Sequence, residues 1–247
     1  MKTTPFTAAC RATAVLMGVV ALAGCGLVVS GDDESLTTIG FGSDLGIEGD
    51  PGELGTDGEV ATEADRVDSI VMIGDSITKG STAALQEQFE ATGFDAVLIE
   101  AEDGKRMVAS SNRNPGGASV AEFLSGGGEG DHSNELWVVA LGTNDVGQYA
   151  GADEIAAAVN EVLDRVPDDA ALVWVDTYFR DRPEQQDLVN SIIRDRVERR
   201  GNSVVAPWSS FAAVEGVLTG DGVHPTTDGT QAFAFVVVDT ARDFLDR

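Results

Sequence analysis

Five short apolar runs punctuate the chain from residue 69 onward: Ser69 to Ile73, Ala96 to Ile99, Leu136 to Leu141, Ala171 to Val175 and Val204 to Ala206. Runs of this length without polar alternation predict strands buried on both faces. Between them, Ser81 to Thr92, Ala118 to Leu124, Asp153 to Val166 and Glu184 to Arg200 carry helical spacing. Thr227 to Leu245 predicts a closing helix, and Asp153 and Thr227 are candidate N-caps. The alternation is βαβα, which predicts a parallel five-stranded sheet with helices on both faces, a three-layer α/β/α sandwich. In the flavodoxin-like strand order 2-1-3-4-5, the first strand lies between the second and third. Ligands then bind beyond the carboxyl ends at that switch point.

The N-terminal quarter follows a different pattern. Lys2 and Arg11 precede an apolar stretch from Ala12 to Ala23 that ends in Leu22-Ala23-Gly24-Cys25, the form of a secretory leader. The stretch is short for a bilayer span, which needs about 20 apolar residues. Its end resembles the lipobox of bacterial lipoproteins, which implies export, cleavage and a lipid anchor on Cys25; the alternative is an ordinary signal peptide that releases a secreted protein. Residues 26–66, rich in Gly, Asp, Glu, Ser and Thr, predict a solvated, disordered tether, with Leu36 to Phe41 as an alternative edge strand. Residues 67–247 then form one domain, with no internal repeat.

Composition narrows the function. The only cysteines are Cys10 and Cys25, so the domain holds no thiol pair for a disulfide or a cysteine metal site. The formal net charge is -26, and -28 once a leader carrying Lys2 and Arg11 is removed, which disfavours nucleic acid and anionic lipid as partners. The only lysines are Lys2, Lys79 and Lys105. This acidity fits either a saline habitat or simple solubility.

Three polar stretches sit where chemistry is expected: Gly74-Asp75-Ser76-Ile77 after the first strand, Gly142-Thr143-Asn144-Asp145 after the third, and Asp221-Gly222-Val223-His224-Pro225 before the closing helix. With Gly104 after the second strand, the order 2-1-3-4-5 brings Ser76, Gly104 and Asn144 to one rim. A serine hydroxyl needs a base, and the base needs an orienting acceptor. His224 and Asp221, three residues apart, can come from one loop, whereas His132 lies in the separate loop 126–134 and reads as a solvated residue. The Ser76 N–H at a helix start, the Gly104 N–H and the Asn144 amide are candidate oxyanion donors. Asp75 and Asp145 read as loop-fixing carboxylates. Two histidines are too few for a typical metal ligand set.

These blocks resemble the SGNH hydrolase superfamily, also called GDSL esterases and lipases. Ser76 matches the serine of its Gly-Asp-Ser, Asn144 the asparagine of Gly-x-Asn-Asp, His224 the histidine of Asp-x-x-His, and Gly104 the glycine after strand two; Ile77 stands for the usual leucine. The resemblance implies an exported serine esterase with a triad of Ser76, His224 and Asp221, an oxyanion hole of Ser76, Gly104 and Asn144, and no cofactor or metal. The α/β-hydrolase elbow Gly-x-Ser-x-Gly is broken, because Thr78 stands where its second glycine belongs. Ala101 to Arg106 is similar to the second block of the family's O-acetyltransferase branch, so transfer or deacetylation on cell-envelope glycans is the alternative. A lipid-anchored binding module without turnover is the third reading. Substrates are then small-molecule or glycan-linked esters. Trp137 and Trp174 fall in predicted strands and read as core, whereas Trp208 and Tyr149 lie near the expected rim. Arg106, Arg180 and Arg182 could meet an anionic substrate or pair with surface carboxylates.

Overall fold

The computed structural model describes residues 67–94, 96–108, 115–127 and 132–247. The leader, Cys25, the tether and the alternative strand at Leu36 to Phe41 lie outside them. Five parallel strands, β1 (Ser69–Gly74), β2 (Ala96–Ala101), β3 (Glu135–Ala140), β4 (Ala171–Val175) and β5 (Ser203–Ala206), form one sheet in the order β2-β1-β3-β4-β5. Among the described residues six α-helices accompany them: α1 (Ser76–Ala91), α2 (Gly116–Gly127), α3 (Ala152–Leu163), α4 (Pro183–Arg200), the short α5 (Trp208–Ala212) and α6 (Thr227–Leu245).

Side chains alternate across the sheet and divide the core in two. Ile70, Met72, Leu136 and Val138 pack with Leu85 and Phe89 of α1 and Phe233, Val237 and Ala241 of α6. Val71, Ile73, Trp137, Val139 and Trp174 pack with Ile155 and Val159 of α3 and Val189 and Ile193 of α4. Strands apolar on both faces therefore form the middle layer of an α/β/α sandwich. Trp137 and Trp174 are fully buried. The edge strand β2 is less covered, and Leu98 is 53% exposed.

Helix starts differ from the periodicity. Helix α1 begins five residues before Ser81, because the Asp75 carboxylate caps it by accepting from the Ile77 N–H at 2.9 Å. Helix α3 begins at Ala152, so Asp153 is not its cap but an acid in the first turn, where it faces the positive end of the helix dipole. Thr226, not Thr227, caps α6, its hydroxyl accepting from the Gly229 N–H at 3.1 Å. Among the described residues no helix is long and apolar enough to cross a membrane.

Register brings the functional blocks together. Gly74 at the end of β1 lies beside Ala101 of β2 and Ala140 of β3. Three loops thus leave the sheet from one rim around β1: Asp75 to Ser76, Glu102 to Met107, and Leu141 into a 3-10 turn at Thr143–Asp145.

Candidate active site

Ser76 is the first residue of α1, just past the carboxyl end of β1, and is half-buried. Its Oγ lies 3.0 Å from His224 Nε2, and His224 Nδ1 lies 2.8 Å from Asp221 Oδ2. The two distances define an unbroken polar chain when the imidazole carries its proton on Nδ1. Asp221 is fixed from its other oxygen, Oδ1, which accepts from the Thr219 hydroxyl at 2.8 Å, the Val223 N–H at 2.9 Å and the His224 N–H at 3.0 Å. These bonds, the Val223 amide first and the His224 ring second, hold the Asp221 carboxyl well below the usual carboxylate range. The His224 and Asp221 side chains are 49% and 51% exposed, so water reaches the site directly.

The loop carrying this pair is closed at its base by an antiparallel bridge between Leu218 and Pro225 and by a bond from the Thr219 N–H to the His224 carbonyl at 2.8 Å. Arg180 braces it from outside: its N–H donates to the Gly222 carbonyl at 3.1 Å, and its guanidinium to the Thr219 carbonyl at 3.4 Å. Neither Thr219 nor Arg180 was legible as a partner of this loop, since a hydroxyl two residues before an aspartate is a local signal only.

Asn144 and Gly104 stand on the same rim. The Asn144 amide donates to Asp75 Oδ2 at 3.1 Å and to the Lys105 carbonyl at 3.1 Å, so both amide hydrogens are engaged in the resting site. Gly104 occupies a turn closed by the Lys105 N–H on the Glu102 carbonyl at 3.1 Å, with φ of 68° that only glycine adopts freely. Among the described residues neither the Ser76 N–H nor the Gly104 N–H meets an acceptor. Two backbone donors at the rim are therefore open to an incoming group.

Asp75 is buried beneath Ser76 and accepts from both the Ile77 N–H and Asn144, tying α1 to the 3-10 turn. Burial raises its pKa to about 7, opposed by the Ile77 amide and by the nearby His224. Asp145 is also buried and accepts from Arg106 Nε at 3.1 Å, the Met107 N–H at 3.1 Å and the Tyr149 hydroxyl at 2.6 Å. Burial pushes Asp145 upward and Tyr149 above its usual range.

The aromatic and basic candidates separate. Trp208 is 1% exposed and packed edge-on against Phe233 with ring centroids 5.1 Å apart, so it belongs to the core. It lies in α5, whose burial the surrounding polar sequence concealed. Tyr149 is held by Asp145 and lies under the Arg106 guanidinium, 5.2 Å from ring centre to cation. Arg182 donates to the Val146 carbonyl at 3.1 Å and covers the Phe179 ring. His132 lies before β3, at the opposite end of that strand from Asn144, and its Nδ1 is 2.9 Å from Glu135. It is largely covered, not solvated, and takes no part in the rim. Among the described residues no group of three or more His, Cys, Asp or Glu could hold a metal ion.

The parallel sheet, the placement of the blocks at its switch point and the sequence together identify the class. The chain belongs to the GDSL-like lipase/acylhydrolase family, whose model matches residues 72–232. Structural comparison agrees on the fold. A carbohydrate acetylesterase family member from Sinorhizobium meliloti shares 19% identity with a TM-score of 0.54, over 72% of this chain and 99% of that one. A family 3 carbohydrate esterase from Clostridium thermocellum shares 16% identity at a TM-score of 0.54, over 72% and 96%. The C-terminal catalytic domain of peptidoglycan O-acetyltransferase A from Streptococcus pneumoniae shares 17% at 0.51, over 73% and 93%. No curated protein sequence matches the chain. The family membership makes the protein an SGNH-type ester hydrolase.

Proposed function

We propose that this protein is an exported serine esterase that cleaves carboxylic esters, acyl or acetyl, through Ser76, His224 and Asp221. The observation that carries the reading is the polar chain from Ser76 Oγ to His224 at 3.0 Å and on to Asp221 at 2.8 Å. His224 Nε2 accepts the Ser76 proton as Oγ forms a bond to the acyl carbon, and the carbonyl π electrons move onto oxygen. Asp221 holds the Nδ1–H and stabilises the imidazolium that forms. The tetrahedral oxyanion takes the open N–H groups of Ser76 and Gly104, and the Asn144 amide, held by Asp75 and the Lys105 carbonyl, shares a hydrogen with it. Collapse expels the alcohol, which takes the proton from His224. Water then attacks the acyl-enzyme by the same route and releases the acid.

The exposure of His224 and Asp221 supports water as the acceptor, since an open site admits it throughout the cycle. Fold neighbours that act on carbohydrate esters and peptidoglycan suggest a glycan-linked acetyl ester as one substrate class. The leader and Cys25 would place the enzyme at the outer face of the cytoplasmic membrane or cell envelope on a lipid anchor. The test is hydrolysis of p-nitrophenyl acetate and longer acyl esters by the full chain, beside Ser76→Ala and His224→Ala, with and without a glycan acceptor. Each variant should lose at least about a thousandfold in kcat. Acylated glycan accumulating at the expense of free acid would make the protein a transferase, and turnover surviving both substitutions would remove the serine mechanism.

A further inference from the structure

One of only three lysines in this acidic chain is completely buried, directly after Gly104. Lys105 Nζ lies 2.6 Å from each carboxylate oxygen of Glu100 on β2 and 2.6 Å from the Ser119 hydroxyl on α2. An ammonium has three hydrogens, and here it meets three acceptors. Withdrawing such a charge from water costs several kcal/mol, and an apolar side chain of similar volume would often be at least as stable. Stability alone therefore gives a weak reason for the ion pair, whereas fixing one geometry gives a specific one.

What the ammonium fixes is the Lys105 backbone. The Lys105 N–H closes the turn that holds Gly104, and the Lys105 carbonyl is the acceptor for Asn144 at 3.1 Å. On the far side, Arg106 and Met107 bind Asp145, the residue after Asn144. The Gly104 loop and the 3-10 turn are thus joined at three points, and the Lys105 side chain anchors the pair to both β2 and α2. We infer that Lys105 is a positioning residue: its buried ammonium, clamped by Glu100 and Ser119, sets the separation and direction of the Gly104 N–H and the Asn144 amide that receive the oxyanion. This rests on the esterase reading above. Donors for a developing charge must be placed in advance, and a displacement of about 1 Å can cost on the order of a hundredfold in rate.

The experiment measures kcat, KM and thermal midpoint for the full chain, Ser76→Ala, Lys105→Met, Ser119→Ala and the double variant Lys105→Met/Glu100→Gln, with p-nitrophenyl acetate and an alkyl phosphonate. Lys105→Met should lower kcat by between about tenfold and a hundredfold, with KM within about threefold and phosphonylation slowed in step. Ser119→Ala, which keeps the Glu100 pair, should lose less than about tenfold. The double variant removes the uncompensated Glu100 charge and should recover thermal midpoint without recovering kcat. Full kcat in Lys105→Met, or kcat returning with stability in the double variant, would overturn the proposal and leave Lys105 a packing residue. Turnover surviving Ser76→Ala would overturn both this proposal and the reading beneath it, so the two failures are told apart in one series.

Discussion

The two aspartates of the rim illustrate opposite uses of one side chain. Asp221 is half exposed yet stays ionised because three donors converge on one oxygen and His224 occupies the other. Its contribution to stability is present above the ordinary aspartate range and is lost as pH falls through its depressed folded value. Asp75 is buried, and its pKa is raised from 3.8 to about 7. The folded state then binds a proton that the unfolded chain has released, so stability falls as pH rises between those values. The separation corresponds to on the order of 4 kcal/mol across the window. Asp75→Asn should flatten this decline when unfolding is followed from acid to neutral pH; a residual slope belongs to Asp145 and Asp176, which burial shifts the same way. The same variant sets an amide donor against Asn144 and should lower kcat by at least about tenfold. A pH profile of stability identical to that of the unsubstituted protein would count against this assignment. At this scale short motifs made legible the meeting of Ser76, His224 and Asp221 and the placement of Asn144 on the same rim. Lys105 was hidden, because a lysine between Gly104 and Arg106 reads as solvated, and its burial depends on Glu100 and Ser119 from two other elements.

Among the elements, α6 seats the loop that carries Asp221 and His224. Gly229, in its first turn, packs so closely that an added Cβ would fall 2.0 Å from the Val217 carbonyl oxygen and 3.0 Å from Pro225. Both neighbours belong to the base of that loop, where Val217 also accepts the Thr226 N–H at 2.9 Å. Gly229→Ala should destabilise the fold by about 1–3 kcal/mol, as overpacking does. It should also lower kcat per folded molecule, because relief requires moving the base of the loop that carries His224; thermal unfolding beside an active-site titration checks both, and an unshifted midpoint would contradict the close seat. The strands and their order were legible because parallel strands covered on both faces are near-continuous apolar runs. Helix starts were less so: α1 begins at Ser76 through a cap by Asp75 that periodicity does not register, and Asp153 and Thr227 lie inside their helices. Trp208 read as a rim residue because α5 is a single short turn whose burial against Phe233 comes from the distant α6.

The whole molecule combines a net charge of -26 with a site whose chemistry is local. Such a surface favours solubility and repels polyanions, so long-range attraction does not bring an anionic substrate to the rim. Of the three arginines near the rim, Arg106 is paired with Asp145, whereas Arg180 and Arg182 donate to loop carbonyls and keep their charge. The fold supplies one rim, β1 places Ser76 on it, and the sequence order of the remaining blocks delivers the other groups there. The central claim is that His224 activates Ser76, and the most direct test is intact-mass and peptide analysis after exposure to an alkyl phosphonate. The account predicts a single adduct on the peptide containing Ser76, formed at least about a hundredfold more slowly in His224→Ala. No adduct on Ser76, or equal labelling rates with and without His224, would contradict it.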